Sequence, residues 1–515
     1  MIRLARPRGF LTITRRNVIA NFSGRIFQAV LSLAVIPIYV RLMGIEEYGL
    51  VGVIAGVQLL ANIFDFGLSA TLGREMARRT AGSTTLQPQG DLVRTFEVLY
   101  WSLGIFLGVM LAIGSRLVRS SLFISSHVSF TDIQRTLLLG AVALTMQWPL
   151  SLYTAALMGL QRQGLVNAVA SAGTLLRALA GVAVLAFVSR HAGGLVLCLG
   201  AVALAQSIVL RVFLWRQLRS DVPVRFDWRS LRSVWRFALS VSLASSGSLV
   251  LSQMDRLVLL PILPLSEIGY YVVAGSFAAA IATLGSPIAD AVGPRYAQLL
   301  ATGQARTVID LFHRAAQATA VLLFPVVAVC CFFAGEVCQL WSRSREMSAE
   351  IAPILAILVV AHCVYVFAVG GADLLQAAEG SLRTSAWGRV VAIVAAAPLL
   401  LALGRIAGAR GAAYAWLIVY STMALALPLI VLRRWPGGPG RQWLTQDFLL
   451  PFMAAAAGCA LVRALGSLLD SGLPPLVLVV VGYTLALLFS VAVTPKARQI
   501  AHGPLASWRR EGRGT

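Results

Sequence analysis

Apolar runs about twenty residues long or longer recur from one end of this chain to the other. Each is long enough to carry an α-helix across ~30 Å of hydrocarbon. The runs fall at 17–43, 46–72, 94–115, 131–158, 164–188, 193–217, 233–262, 267–298, 306–334, 350–378, 383–404, 409–433, 448–469 and 474–494. Of 515 residues, 58% are hydrophobic and 12% charged. A soluble chain carries about 25% charged residues, so little sequence remains for a soluble domain. The expected fold is all-α and polytopic, with about fourteen transmembrane helices.

The formal charge of +22 does not point to nucleic acid. Apart from Lys496 every basic residue is Arg, and the arginines are scattered through short loops instead of forming a basic domain. Their placement reads as topology and contact with anionic lipid headgroups. Arg3, Arg6, Arg8, Arg15 and Arg16 precede the first run; Arg74, Arg78, Arg79 and Arg94 flank the next loop on that side. Arg216 to Arg236 and the C-terminal tail continue the series, and the opposite loops are sparser. The positive-inside rule then puts both termini in the cytoplasm. A signal peptide has a shorter apolar core and a small-residue cleavage site, so the first helix reads as retained. Six cysteines without metal-ligand spacing read as packing residues.

Polar residues inside the runs carry the functional information. Asn21, Arg25, Gln28 and Ser32 recur along the first run, and Gln58, Asn62, Asp65 and Ser69 along the second, both at helical spacing. Asn167, Ser171, Thr174 and Arg177 share a face of the fifth, and Ser245, Ser248, Ser252 and the pair Asp255-Arg256 lie in the seventh. A charge facing lipid costs ~2.5–3.5 kcal/mol on insertion scales, so these faces meet protein or a water-filled cavity. Interhelical hydrogen bonding is one reading. The other is a cavity formed by Asn21, Arg25, Asp65, Arg177 and Arg256, whose planar guanidiniums suit a diphosphate. Asp255, Asp290, Asp373 and His362 are the candidates for a coupling cation. Arg211 and Arg389, near helix ends, read as snorkelling to the interface. Pro37, Pro149, Pro287, Pro325 and Pro398 fall inside the runs and read as kinks.

The polar stretch 219–232 divides the chain into an N-terminal lobe (1–218) and a C-terminal lobe (233–433), followed by two helices and a basic tail (434–515). The lobes repeat weakly. Gly44-Ile45-Glu46-Glu47-Tyr48-Gly49-Leu50 follows the first run, and Pro264-Leu265-Ser266-Glu267-Ile268-Gly269-Tyr270 the seventh. Arg74 and Arg295 then lie at nearly the same distance from the second glycine of each. Parallel repeats of this kind suggest a transporter built about a pseudo-two-fold axis along the membrane normal.

Residues 16–79 resemble the start of bacterial polysaccharide flippases of the multidrug/oligosaccharidyl-lipid/polysaccharide exporter superfamily. The resemblance rests on Asn21, Gly24, Arg25, Ile36-Pro37, Arg41-Leu42-Met43-Gly44, Glu47-Tyr48-Gly49-Leu50, Phe64-Asp65-Phe66-Gly67-Leu68 and Arg74. Gln253-Met254-Asp255-Arg256-Leu257-Val258-Leu259 looks like the second-lobe counterpart. It implies translocation of an undecaprenyl-diphosphate-linked oligosaccharide for O-antigen or exopolysaccharide synthesis, by alternating access around a central cationic cavity. Its implied partners are that substrate, membrane lipids and other polysaccharide-assembly proteins, with no nucleic acid. A cation-coupled multidrug exporter is the alternative. A membrane polymerase or ligase fits less well, because the longest outside loops are only about fifteen residues. No nucleotide-binding glycine loop, His-Glu-x-x-His or Cys-x-x-Cys is present, so no cofactor, metal or catalytic residue is expected.

Overall fold

The computed structural model describes residues 8–80, 89–218, 225–226, 228, 246–468 and 474–495, with side chains from Gly24 onward except at 79–80 and 89. Among these residues the structure is helical, with one isolated bridge between Ile124 and Pro264. Among the described residues, twelve helices are long and apolar enough to cross a membrane. One of them, Arg383–Leu432, contains non-helical Ala407 and Gly408, the latter at φ 58°. That break separates the two runs expected at 383–404 and 409–433. Of the run expected at 233–262, residues 233–245 lie outside the described residues. The chain is a multi-pass all-α membrane protein that forms two compact units, Met1–Gly269 and Tyr270–Thr515.

The first unit opens with α1 (Arg8–Met43), α2 (Ile45–Ala61) and α3 (Leu68–Thr80). The continuous helix expected over 46–72 is interrupted. A 3₁₀ turn at Asn62–Asp65 leads into Phe66 at φ 48° and Gly67 at φ 69°, left-handed conformations that no α-helix continues through. Asp65 restores part of the lost hydrogen bonding by accepting from the Ser69 N–H and hydroxyl, at 3.3 and 2.8 Å. Next come α4 (Gln89–Leu117), α5 (Phe130–Gln147), α6 (Leu150–Gly159), α7 (Gln163–Phe187), α8 (Ala192–Gln217) and a helical stretch, α9, over 246–259. Ser129 caps α5 by accepting the Asp132 N–H. Pro149 ends that helix and starts α6, the kink read from the sequence.

Two acidic residues organise one end of this unit. Glu46 accepts from Ser125 Oγ (2.7 Å) and from the N–H groups of Ser126 and His127. Its neighbour Glu47 accepts from the Ala192 N–H at 2.7 Å and contacts His191 Nδ1 at 3.0 Å, capping the start of α8. Nearby, a Cβ on Gly49 would stand 2.4 Å from the Leu265 carbonyl oxygen, so only glycine permits this approach. The other end holds the main core: Leu72, Met76, Phe96, Tyr100, Leu152 and Tyr153 are buried together. Glu97 sits there at 2% exposure. One of its oxygens accepts from Tyr153 Oη, Arg211 Nε and Trp215 Nε1 at 2.8–2.9 Å. Arg211 is therefore paired across helices, with its side chain still 44% exposed.

The helix α10 (Leu265–Ala282) carries the chain from the first unit into the second and is followed by a 3₁₀ turn at Thr283–Gly285 before α11 (Ser286–Ala301), where Pro287 occupies the first turn. The same interruption follows the repeated motif in each unit. Then come α12 (Ala305–Phe332), α13 (Ala334–Ser342), α14 (Arg345–Ala378) and α15 (Arg383–Leu432). The last elements are a π-helical segment at Trp443–Leu449, α16 (Leu450–Leu468) and α17 (Pro475–Val493). Asp447, fully buried in the π-helix, pairs with His313 and accepts from Gln317 Nε2 at 2.8 Å, both on α12. Phe324, Phe367, Trp443 and Phe448 pack beside it. All six cysteines are free, and Cys338 is as buried as those within the apolar runs.

Two stability outcomes follow from these contacts. Removing one partner of a buried charged pair costs about 3–5 kcal/mol; Arg211 is partly exposed, so Glu97→Ala is expected near the lower limit, read as a lowered melting midpoint in detergent. Glu97→Gln keeps an acceptor and should lose less. Gly159 lies where a Cβ would meet the Gly73 carbonyl oxygen at 2.2 Å. Gly159→Ala should therefore cost about 1–3 kcal/mol as overpacking, whereas Gly164→Ala, with open space around it, should not.

Candidate substrate site

The polar faces on α1, α7 and α8 meet within the first unit. Gln28 donates to Ser171 Oγ at 3.2 Å, and Tyr39 donates its hydroxyl to the Arg177 carbonyl at 2.9 Å. The Arg177 guanidinium turns to α8, where it donates to Gln206 Oε1 at 2.7 Å. Gln206 passes so close to α7 that a Cβ on Gly173 would stand 1.9 Å from its amide nitrogen. Arg177 Nε is buried and has no hydrogen-bond partner. Part of this stripe thus binds helices together, and one guanidinium N–H remains unused.

A second arginine lies across α2. Arg256, on α9, donates to the Gly52 carbonyl at 2.8 Å, and its Cδ would stand 2.9 Å from a Cβ on Gly56. A Gly-x-x-x-Gly pair such as Gly52/Gly56 ordinarily marks a close contact between helix backbones. Its role here is to admit an arginine side chain, which spacing alone does not reveal. Asp255 accepts the Arg256 backbone N–H at 2.8 Å. Neither Arg177 nor Arg256 meets a carboxylate among the described residues. Arg25 is exposed on α1, and Asp65 sits half-buried at the α2 break. The side chain of Asn21 lies outside the described residues. On α2, Gln58 reaches the Gly140 carbonyl (3.3 Å), while Asn62 folds back onto its own helix.

The candidate cation residues are divided between the two units. Asp255 belongs to the first unit and the other three to the second. There Asp373 pairs with Arg389, which is 7% exposed and so lies inside the unit instead of reaching the interface. His362 Nδ1 faces the Leu358 carbonyl at 2.9 Å, one turn back on α14, and its ring meets Tyr420 edge-on. The carbonyl only accepts, so Nδ1 carries the proton. Asp290 is exposed on α11. Among the described residues no three His, Cys, Asp or Glu side chains gather as a metal site. The buried acids Glu97 and Asp447 escaped the sequence reading, because their partners are on other helices and follow no local periodicity.

The chain has the fold of known membrane transporters. It resembles the lipid II flippase MurJ in an inward closed conformation with a TM-score of 0.66, at 15% identity over 95% of this chain and 99% of that one. An inward-facing multidrug resistance MATE family transporter of the MOP superfamily aligns with a TM-score of 0.62, at 17% identity, covering 81% and 98%. A MOP superfamily transporter from Pyrococcus furiosus gives 0.54 at 16% identity, covering 81% and 95%. No curated protein sequence matches the chain. The family model for polysaccharide biosynthesis proteins matches residues 14–300, more than half of the sequence, and the chain belongs to that family.

Proposed function

We propose that this protein is a flippase that moves an undecaprenyl-diphosphate-linked oligosaccharide from the cytoplasmic to the periplasmic leaflet of the inner membrane, for O-antigen or exopolysaccharide synthesis. The observation that carries the reading is membership of the polysaccharide biosynthesis family, on a fold shared with a lipid II flippase. Two lobes, 1–218 and 233–433, alternate access, with both termini cytoplasmic. The charged faces are consistent with it. Arg25, Arg177 and Arg256 supply guanidinium donors for a diphosphate, a geometry Lys does not reproduce, and Asn21 and Asp65 complete the cavity.

Asp255, Asp290, Asp373 and His362 are the positions for a coupling cation in this reading. The Asp373–Arg389 pair makes Asp373 the least available of them. The fold shared with MATE transporters favours one second reading, a cation-coupled drug exporter.

Arg25→Gln and Arg256→Gln separate the two readings. Each is expected to lower surface polysaccharide at least tenfold with normal protein levels in the membrane, while Arg256→Lys recovers only part of the loss. Full polysaccharide in both Gln variants would refute the cavity assignment. In a chromosomal deletion, drug susceptibility is expected to be unchanged; a broad rise in susceptibility with intact polysaccharide would favour the exporter.

A further inference from the structure

The two limbs of α15, over 383–406 and 409–432, run back to back after the reversal at Ala407-Gly408. Gly388 on the first limb lies 3.7 Å from Leu427 and Met423 on the second by its would-be Cβ, which fixes them as antiparallel. Beside this seam is a groove of about 810 Å³. Its two ends differ in chemistry. At one end are Ser381, Arg383, Thr384, Trp387 and Arg434; beyond them the walls are apolar, among them Val391, Leu399 and Ile418. From Arg383 to Leu399 the first limb rises ~24 Å at 1.5 Å per residue. That is enough to run from the headgroup region past the middle of a ~30 Å hydrocarbon layer.

Among the described residues the charged end lacks a partner. Arg383 and Arg434 are exposed, and neither side chain makes a hydrogen bond or ion pair among the described residues. Glu379, the acid one turn away, does not line the groove. Trp387 is 62% exposed, in the place where an indole bridges headgroup and hydrocarbon. Two guanidiniums and two hydroxyls at the mouth of an apolar channel match a phosphate on a long hydrocarbon chain.

We propose that this groove is a binding site for an anionic phospholipid, with its phosphate held by Arg383 and Arg434 and one acyl chain lying between the limbs of α15. The site is separate from Arg25, Arg177 and Arg256 in sequence, and the proposal does not depend on which substrate the protein moves.

The test uses the full chain in phosphatidylcholine nanodiscs containing a phosphatidylglycerol analogue with a diazirine in its acyl chain. Photo-adducts are expected in 384–399 and 418–430. Each of Arg383→Gln and Arg434→Gln should weaken labelling about fivefold, and the double variant about thirtyfold, from the typical value of a basic residue at an anionic membrane surface. Both are surface changes, so the melting midpoint should stay put. Ala395→Trp, which fills the groove and leaves both arginines in place, should also abolish labelling. Inorganic phosphate should not compete; if it does, the site binds a free anion and the proposal fails. It also fails if a phosphatidylcholine analogue labels the same peptides equally well, or if the double variant labels like the parent. Suppression by undecaprenyl phosphate but not by unlabelled phosphatidylglycerol would assign the groove to a polyprenyl lipid and overturn it too.

Discussion

Backbone N–H and C=O groups have no water to bond in a bilayer, and everything else in this structure is arranged around that fact. A helix satisfies them internally, so every long apolar run becomes one. Where the helices stop within a run, the chain supplies a substitute. At Asn62–Asp65 the substitute is a 3₁₀ turn plus the Asp65 carboxylate on Ser69. Pro149 breaks its run at a position where the missing N–H is one that a helix start leaves unused. The 443–449 segment widens to a π-helix and buries Asp447 against His313 and Gln317. Interruptions and polar side chains therefore occur together, and the polar groups have structural work before any transport is considered.

That coupling explains what could be read from the sequence. Helix positions were legible because length and hydropathy are local properties. Pro149 and Pro287 were also legible as breaks. The interruption at Phe66-Gly67 was not, because a non-glycine residue at φ 48° has no compositional mark and the surrounding run stays apolar. Nor did the acidic pins announce themselves. Glu97 meets Arg211 across 114 positions of sequence and Asp447 meets His313 across 134, distances at which periodicity carries no signal. The same limit applies to Arg211 and Arg389: the carboxylate that holds each one is on another helix, and Arg389 lies inside the unit where its place near a helix end suggested the interface.

The candidate site was legible in part. Gln28 on α1 and Ser171 on α7 do meet, although spacing shows only that each stripe shares one face of its own helix. Which members of a stripe are committed to packing was not readable. Arg177 is committed on one side to Gln206 and has one N–H left over. Arg256 depends on two glycines of α2 that by themselves look like a generic contact motif. In the proposed reading these arginines would carry both roles at once, so substitution by a neutral residue would change helix packing and cavity charge together.

Glu46 and Glu47 sit side by side at the start of α2, yet one holds the 125–127 loop and the other the head of α8. Adjacent residues on a helix cannot move independently. The start of α2, the 125–127 loop and the head of α8 are therefore clasped at one point of the first unit. A change to either acid releases one clasp and leaves its neighbour to bear the other alone.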